Sequence, residues 1–137
     1  MAVTPYLFLD GRCEEAIEFY KKHLGAEVGM LMRFKDAPPD QKCSPGHENK
    51  IMHACITING APVMLSDGRV QNKPKFEGFA LSLDAKEAAD GERMFNALQD
   101  GGQVHQPMTE TFFAKRFGMV ADKFGVGWMI IAGDKNP

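Results

Sequence analysis

A histidine and a cysteine two residues apart are the residues of this sequence best suited to chemistry. In the segment IMHACITI, strict alternation places His53, Cys55 and Thr57 on one side of a strand. The other side would carry only apolar residues: Met52, Ala54, Ile56 and Ile58. His53 could act as a base that activates the Cys55 thiol as a nucleophile. A hydrogen-bonded histidine beside a small core cysteine is the favoured alternative, because no orienting residue or oxyanion site is evident in the sequence.

A second cluster has residue types that bind zinc. Cys43, His47 and His53 follow the spacing C-x3-H-x5-H, and a loop could fold them around an ion. This spacing matches no standard zinc motif, and a fourth ligand is not evident. A solvated loop is therefore the favoured interpretation.

Polar residues at strand ends offer weaker candidates. Ser66 and Asp67 close the strand that follows Gly60, where they could hold a ligand at a cavity rim or form a turn. His23 ends a predicted helix and is expected to interact with its dipole. His105 lies among polar residues and is expected at the surface.

Aromatic and basic residues cluster in the segment TETFFAKRFG. Phe112, Phe113 and Phe117 surround Lys115 and Arg116 and could stack on a planar anionic ligand. Aromatic residues and arginine are also enriched at subunit interfaces. We therefore expect either a lid over a cavity or a dimer contact.

The composition limits the classes of partner. The chain has 137 residues, which suits one domain or two small modules sharing a core, and its 16 basic and 18 acidic residues give a net charge of -2. No basic field for nucleic acid is present, and no apolar run is long enough to cross a membrane. The N-terminus lacks the features of a signal peptide, and three cysteines do not indicate a disulfide framework, so we expect a cytoplasmic protein.

The hydrophobic patterns predict the same order of elements twice. The first half reads as strand, helix and three strands. Its helix covers CEEAIEFYKKHL and ends at Gly25. The next strand carries Val28, Met30, Met32 and Phe34 on one face, and Asn59-Gly60 forms a hairpin turn between the last two strands. The second half repeats this order, with Ala89, Met94, Phe95 and Leu98 on its helix face and a closing hairpin, FGMVAD and VGWMIIA. We predict an α+β fold in which two βαβββ modules, residues 1–68 and 76–134, form a curved sheet around a cavity.

The segments AIEFYKKHLGAEV and DKFGVGWMII resemble the vicinal-oxygen-chelate superfamily, the glyoxalase and bleomycin-resistance group. PYLFLDGRCEEAIEFY and TETFFAKRFGMVADKFGVGWMI are similar, more narrowly, to its PhnB-like branch, which also carries a ubiquinone-methyltransferase-like label. The resemblance covers nearly the whole chain and implies one glyoxalase-like domain over residues 1–137 and a homodimer.

The usual metal of this superfamily is held by histidine, glutamine or glutamate from four strands. The resemblance places those positions on residues without a suitable side chain: Pro5, Met64, Gly78 (or Phe79) and Met129. Methionine suits hard, oxygen-seeking metals badly. We therefore expect neither a metal nor another cofactor.

Three functions follow, in order of preference. The first is a small-molecule-binding protein that holds an apolar or aromatic ligand; its expected ligand-binding residues are Thr57, Met64, Ser66, Ala80, Ser82, Phe112, Phe117 and Met129. In this arrangement Trp128 and Ile130 face the helices, and so do Phe79 and Leu81. The second is an enzyme, such as a lyase, isomerase or oxygenase, that uses His53 and Cys55 or a metal on other ligands. The third is a structural dimer whose cavity is filled by its own side chains.

Overall fold

The chain adopts the βαβββ order twice. The computed structural model describes residues 3–38, 46–68 and 74–135, and residues 1–74 and 75–137 form two separate units. Each unit combines one helix with one four-stranded sheet. No helix in the described part of the chain is long and apolar enough to cross a membrane.

The described residues of the first unit form four strands, one helix and a single 3₁₀ turn. In chain order these are β1 (Tyr6–Phe8), α1 (Cys13–Leu24), β2 (Glu27–Arg33), the 3₁₀ turn (Phe34–Asp36), β3 (Ile51–Ile58) and β4 (Ala61–Ser66). The strand order in the sheet is β1-β4-β3-β2. The β1 strand is parallel to β4, and the other neighbours are antiparallel.

Helix α1 has the ends that its sequence predicts. Acidic residues occupy its first turn and basic residues its last, as the helix dipole favours. Gly25 ends the helix in the left-handed conformation, with φ 67°, and donates a hydrogen bond to the Tyr20 carbonyl. The helix buries one stripe of side chains: Cys13, Ala16, Ile17, Phe19 and Tyr20. This stripe packs against the sheet, most closely at β3.

The predicted hairpin turn at Asn59-Gly60 is confirmed. Both residues have positive φ, 54° and 84°, and Ile58 pairs directly with Ala61. A two-residue turn of this kind matches the twist of the strands it joins. It sets the register of β3 and β4.

Two bulges correct the predicted faces of the first sheet. Between Val28 and Met30 the pairing shifts by one residue, so Val28 pairs with Ile56 while Met30 pairs with Cys55. Val28 and Met30 therefore lie on opposite faces, because an extra residue reverses the alternation. A second shift lies opposite Met52, where Ile51 rather than Met52 is fully buried.

The second unit repeats this topology. Its elements are β5 (Leu81–Ala85), α2 (Ala88–Gln99), β6 (Gln103–Thr109), β7 (Ala114–Ala121) and β8 (Gly127–Asp134). The strand order β5-β8-β7-β6 is equivalent to that of the first unit, and β5 is parallel to β8. The repeat predicted from the pattern of elements is thus a repeat of strand order as well.

Helix α2 approaches its sheet through two glycines. A Cβ on Gly91 would lie 2.5 Å from the Ala132 Cβ, and a Cβ on Gly118 would lie 2.7 Å from the Met108 Sδ. The buried residues of the helix are Gly91, Met94, Phe95 and Leu98. Ala89, which we predicted on this face, is exposed. Gly91 belongs to the buried face of α2 because only a residue without a side chain fits between the helix and Ala132 of the sheet.

Candidate functional site

Each sheet has one face that packs against its helix and one that does not; we call the second the helix-free face. In the first sheet, Ala54, Ile56 and Ile58 are buried, whereas His53, Cys55 and Thr57 are half-buried. The pairing of Met30 with Cys55 and of Met32 with His53 places both methionines on the same face. The predicted grouping of His53, Cys55 and Thr57 on one face of β3 is therefore observed.

Tyr6 is the hydrogen-bond partner of His53. The Tyr6 hydroxyl lies 2.8 Å from Nδ1 of His53, and the two rings stack with their centroids 5.5 Å apart. Phe8 extends the cluster, with its ring centroid 4.9 Å from that of Tyr6. The bond reaches across β4, since β1 and β3 are both neighbours of that strand. The sequence analysis did not predict a partner for His53, because Tyr6 lies 47 residues away in the chain.

Cys55 lies in a row of side chains that crosses the first sheet. Tyr6 pairs with Met64, Met64 with Cys55, and Cys55 with Met30. Cys55 is a free, half-buried thiol. Among the described residues the hydrogen bond of the His53 side chain goes to Tyr6, and no hydrogen bond joins His53 to Cys55. The proposed base and nucleophile share a face but are not connected.

Ser66 and Asp67 have structural partners. The Asp67 carboxylate is 3% exposed, with Oδ1 accepting from Cys13 N at 2.9 Å and Oδ2 from Ile51 N at 2.8 Å. It thus joins the start of α1 to the start of β3. Ser66 is 2% exposed, and its Oγ accepts from the amide of Gly68. The Ser66 hydroxyl thus serves the turn, whereas the Asp67 carboxylate links the helix to the sheet.

The register corrects one position carried over from the resemblance. The partner of Met64 on β1 is Tyr6, so Tyr6 and not Pro5 shares the helix-free face with it. On the second sheet, Gly78 and Phe79 both precede β5, and the partner of Met129 is Ser82. Tyrosine and serine are not the histidine, glutamine or glutamate that the superfamily uses.

The helix-free face of the second sheet also carries methionine at its centre. Ser82 pairs with Met129, Met129 with Met119, and Met119 with Gln106. Trp128 and Ile130, on the other face, are buried, as expected. Ala80 lies just before β5 and is half-buried. Phe79, expected behind the sheet, has 53% of its surface exposed.

The aromatic segment divides between a turn and a strand. Phe112, 88% exposed, lies in the turn before β7, and its ring contacts Phe113 edge to face. Phe113 in turn contacts Phe117, which pairs with Ile131 on the helix-free face. Arg116 points to the other side, where its guanidinium forms an ion pair with Glu92 of α2. The aromatic rings and Arg116 therefore do not form one surface for a planar anion.

No metal-binding cluster is evident in residues 3–38, 46–68 and 74–135, where no group of three or more His, Cys, Asp or Glu side chains could hold an ion. Cys43, part of the zinc alternative, lies outside the described residues. His23 contacts the ring of Phe19, and His105 is exposed, as expected.

Burial and charge act on two ionisable groups of α1. Burial, reinforced by the carboxylates of Asp67 and Glu14, raises the pKa of the Cys13 thiol far above its usual range. A hydrogen bond from Arg33 lowers the pKa of Glu14. Cys13 is thus a protonated core residue, and the thiol open to reaction on the first sheet is that of Cys55.

Comparison with known proteins identifies the family. The model of the family described as 3-demethylubiquinone-9 3-methyltransferase matches residues 1–131. The chain belongs to this family, the PhnB-like group. Protein YjdN of Escherichia coli (strain K12) is 36% identical over 145 residues, which cover 100% of this chain and 99% of YjdN.

Solved structures of similar proteins have the same fold. Protein PA1353 from Pseudomonas aeruginosa is 36% identical with a TM-score of 0.85, covering 96% of this chain and 97% of its own. A putative 3-demethylubiquinone-9 3-methyltransferase, PhnB protein, from Bacillus cereus is 26% identical with a TM-score of 0.81, covering 96% and 99%. A glyoxylase/bleomycin resistance protein/dioxygenase domain from Frankia sp. EAN1pec, 15% identical with a TM-score of 0.62 and coverage of 100% and 95%, shares the fold. The predicted α+β fold with two βαβββ modules and the predicted family are confirmed.

Proposed function

We propose that this PhnB-like protein binds a small apolar or aromatic molecule on a methionine-lined sheet face, without the divalent metal typical of the superfamily. The observation that carries the proposal is the position of Met64 and Met129. Each lies on the helix-free face of its sheet, at a position where the resemblance places a metal ligand. Met129 pairs with Met119 on the adjacent strand, and Met30 lies two strands away from Met64 in the same row of side chains. The family is named for a methyl transfer, and no such reaction is proposed for this chain.

The chemistry of methionine supports a ligand with an apolar surface. A thioether side chain is flexible and polarizable, adapts to irregular shapes and contacts aromatic rings favourably. On the first sheet, Met30 is 43% exposed and Met64 is half-buried, so both have surface left to cover. The rings of Tyr6 and Phe8 lie on the same face and add aromatic contacts.

The proposal is tested with an apolar fluorescent probe, N-phenyl-1-naphthylamine, titrated into the purified protein. Met64→Gln should weaken binding about threefold to tenfold, because a polar amide replaces an apolar contact. Val104→Gln is the matched control, because Val104 is an exposed residue of the second sheet and does not lie on a helix-free face. Absence of binding to the folded wild-type protein, or equal loss in the control, would contradict the proposal.

An enzyme that uses His53 is the second candidate. The hydrogen bond between Tyr6 and His53 supports it, because a catalytic histidine needs a group that fixes its orientation and tautomer. Cys55 remains a candidate nucleophile on the same face. This candidate predicts turnover in a panel of lyase, isomerase and oxygenase substrates, abolished by His53→Gln and retained by His105→Gln.

Assembly and location are further proposals. We propose a homodimer, as the superfamily resemblance implies, and the support is the set of large apolar side chains left exposed on the described chain, such as Val28, Leu31 and Phe112. Sedimentation velocity should give twice the chain mass of 15.2 kDa. A species of the single-chain mass at micromolar concentration would contradict this.

The cytoplasmic location expected from the sequence is likewise a prediction.

A further inference from the structure

We propose that His53 is the polar anchor for the ligand, and that the ligand is a neutral aromatic carbonyl compound whose oxygen accepts a hydrogen bond from Nε2 of His53. This inference rests on the proposed binding function and makes its ligand more specific. It joins three features of the first sheet: the Tyr6–His53 bond, the accessible Nε2, and the charge of the surrounding face.

In the proposed arrangement, the Tyr6 hydroxyl fixes which ring nitrogen of His53 carries the proton. A neutral imidazole has one N–H donor and one acceptor nitrogen. The phenol oxygen lies 2.8 Å from Nδ1, a distance that allows a hydrogen bond in either direction. In our proposal the phenol donates its proton to Nδ1, which makes that nitrogen the acceptor. The proton of the imidazole then resides on Nε2, which becomes a donor.

Within the described residues, Nε2 has no partner for this donor. The described residues place one hydrogen bond on the His53 side chain, and it involves Nδ1. In the same part of the chain, the only buried side-chain nitrogen or oxygen without a partner is Nδ1 of His47, so Nε2 of His53 is not sealed from solvent. A donor on a largely apolar face is a point of specificity, because a ligand without an acceptor would leave it unpaired.

The neighbouring side chains favour a neutral acceptor. The helix-free face of the first sheet carries Tyr6, Phe8, Glu27, Met30, Met32, His53, Cys55, Thr57, Pro62, Met64 and Ser66. Glu27 is the only one of these described positions with a formal charge, and that charge is negative. Arg33 faces away and pairs with Glu14. A carboxylate ligand would find no cation on this face, whereas a ketone or aldehyde oxygen requires only the Nε2–H.

The spacing of the strands fits a small aromatic body. Neighbouring strands lie about 4.8 Å apart, so the row from Tyr6 through Met64 and Cys55 to Met30 provides a surface longer than a fused two-ring system. His53 precedes Cys55 by two residues on the same face of β3. A ring lying on Met64 and Cys55 would thus bring a carbonyl substituent within reach of Nε2.

Two matched ligands test the inference: 2-acetylnaphthalene, which has a carbonyl oxygen, and 2-ethylnaphthalene, which lacks it. Calorimetry on the full chain should show the ketone binding about threefold to tenfold more tightly. His53→Phe should abolish this preference while leaving 2-ethylnaphthalene bound. Tyr6→Phe should reduce the preference, because Nδ1 loses its donor and the Nε2–H tautomer is no longer fixed. His105→Phe, at an exposed histidine of β6, is the control and should keep it.

The outcomes separate this inference from the function on which it rests. Equal affinity of wild-type protein for both naphthalenes would overturn the anchor and leave apolar binding in place. Binding of neither would overturn the proposed function. Tighter binding of 2-naphthoate than of the ketone would overturn the neutral carbonyl class. A full ketone preference in Tyr6→Phe would overturn the role of Tyr6 as a positioning residue, and the nitrogen-15 shifts of the His53 ring report the same change directly.

Discussion

The carboxylate of Asp122 organises the hairpin that closes the second unit. Its Oδ1 accepts from the amides of Phe124 and Val126, at 2.9 and 3.0 Å, and its Oδ2 accepts from Nε1 of Trp128 at 2.9 Å. The side chain is 3% exposed. A buried carboxylate with several donors is a structural group, in keeping with the turn role that its place at a strand end predicts.

Asp122→Asn should therefore lower the free energy of unfolding by about 2–4 kcal/mol, since an amide group would present a donor where Trp128 or a backbone amide already donates. Denaturant titration measures the change. Asp100→Asn is the control, because Asp100 is exposed at the end of α2, and it should alter stability by less than about 0.5 kcal/mol. Similar effects of the two substitutions would show that the Asp122 bonds contribute little.

The two described cysteines should differ in reactivity. Cys13 is fully buried, and burial beside Asp67 raises the pKa of its thiol, so little thiolate is available. Cys55 is partly exposed. In a Cys43→Ser background, iodoacetamide followed by peptide mass spectrometry should label Cys55 at least about tenfold faster than Cys13. Faster labelling of Cys13 in the folded protein would refute the assignment of its burial.

Tyr6 shows why the candidate site was only partly predictable. Alternation along β3 correctly placed His53 and Cys55 on one face, because the pleat imposes that period wherever a strand is regular. The partner of His53 comes from β1, two strands away, and its position depends on the parallel register of β1 with β4. Local patterns carry no such information, although a tyrosine in a short apolar strand is a signal worth testing against every polar residue on the same sheet.

At the scale of elements, the hairpin between β3 and β4 depends on backbone conformation. A Cβ on Gly60 would meet no atom within 4 Å, yet the residue has φ 84°. Gly60→Val should consequently destabilise the protein by about 1–3 kcal/mol through backbone strain alone.

Gly29→Ala provides the matched control for this hairpin. A Cβ at Gly29 makes only an ordinary contact, 3.6 Å from the Cys55 carbonyl oxygen, and no positive φ is involved. This substitution should be neutral or stabilise by up to about 1 kcal/mol. A neutral Gly60→Val in the same denaturant titration would mean that the turn is not of the two-residue type.

The two faces of β8 should respond differently to substitution. Trp128 is buried against the helix side, so Trp128→Ala should cost about 3–5 kcal/mol. Met129 is half-buried on the helix-free face, and Met129→Gln should cost less than about 1.5 kcal/mol while weakening an apolar ligand. Thermal unfolding with and without N-phenyl-1-naphthylamine separates the two effects. The reverse order of stabilities would assign the faces the other way.

Element types and order were predictable, whereas the bulges were only partly so. Helix ends, the Asn59-Gly60 turn and the alternation of β8 all have local signatures. The bulge in β2 coincides with Gly29, and a glycine inside a strand is a known signal of a bulge. The irregularity opposite Met52 has no such marker in the local sequence.

At the scale of the whole molecule, we predict that this chain carries no divalent metal at the position that the superfamily resemblance implies. Met64 and Met129 stand where ligands are expected, and the register adds only Tyr6 and Ser82. Protein purified without added metal should carry no stoichiometric divalent ion when measured by elemental analysis. About one zinc or nickel per chain, lost in His53→Gln, would contradict this and favour the enzyme.

Family membership was the most predictable property, because it rests on segments spread over nearly the whole chain. Function was the least predictable, since the segments that carry the resemblance define turns, helices and strands. The residues that would select a ligand, such as Met64 and His53, belong to a face that any member could vary without changing those elements.

The close packing of α2 on its sheet at Gly91 and Gly118 limits how this fold can change in evolution. Gly91 and Gly118 leave no space for even one methyl group, so a lineage cannot explore this side of the sheet by small steps. The methionines of the opposite face, Met119 and Met129, are half-buried, so we expect single substitutions there to be tolerated. A saturation library should accordingly find new binding preferences concentrated on one side of each strand, with the glycine positions nearly silent. New specificities can then arise repeatedly on this scaffold without each being preceded by a compensating change in its core.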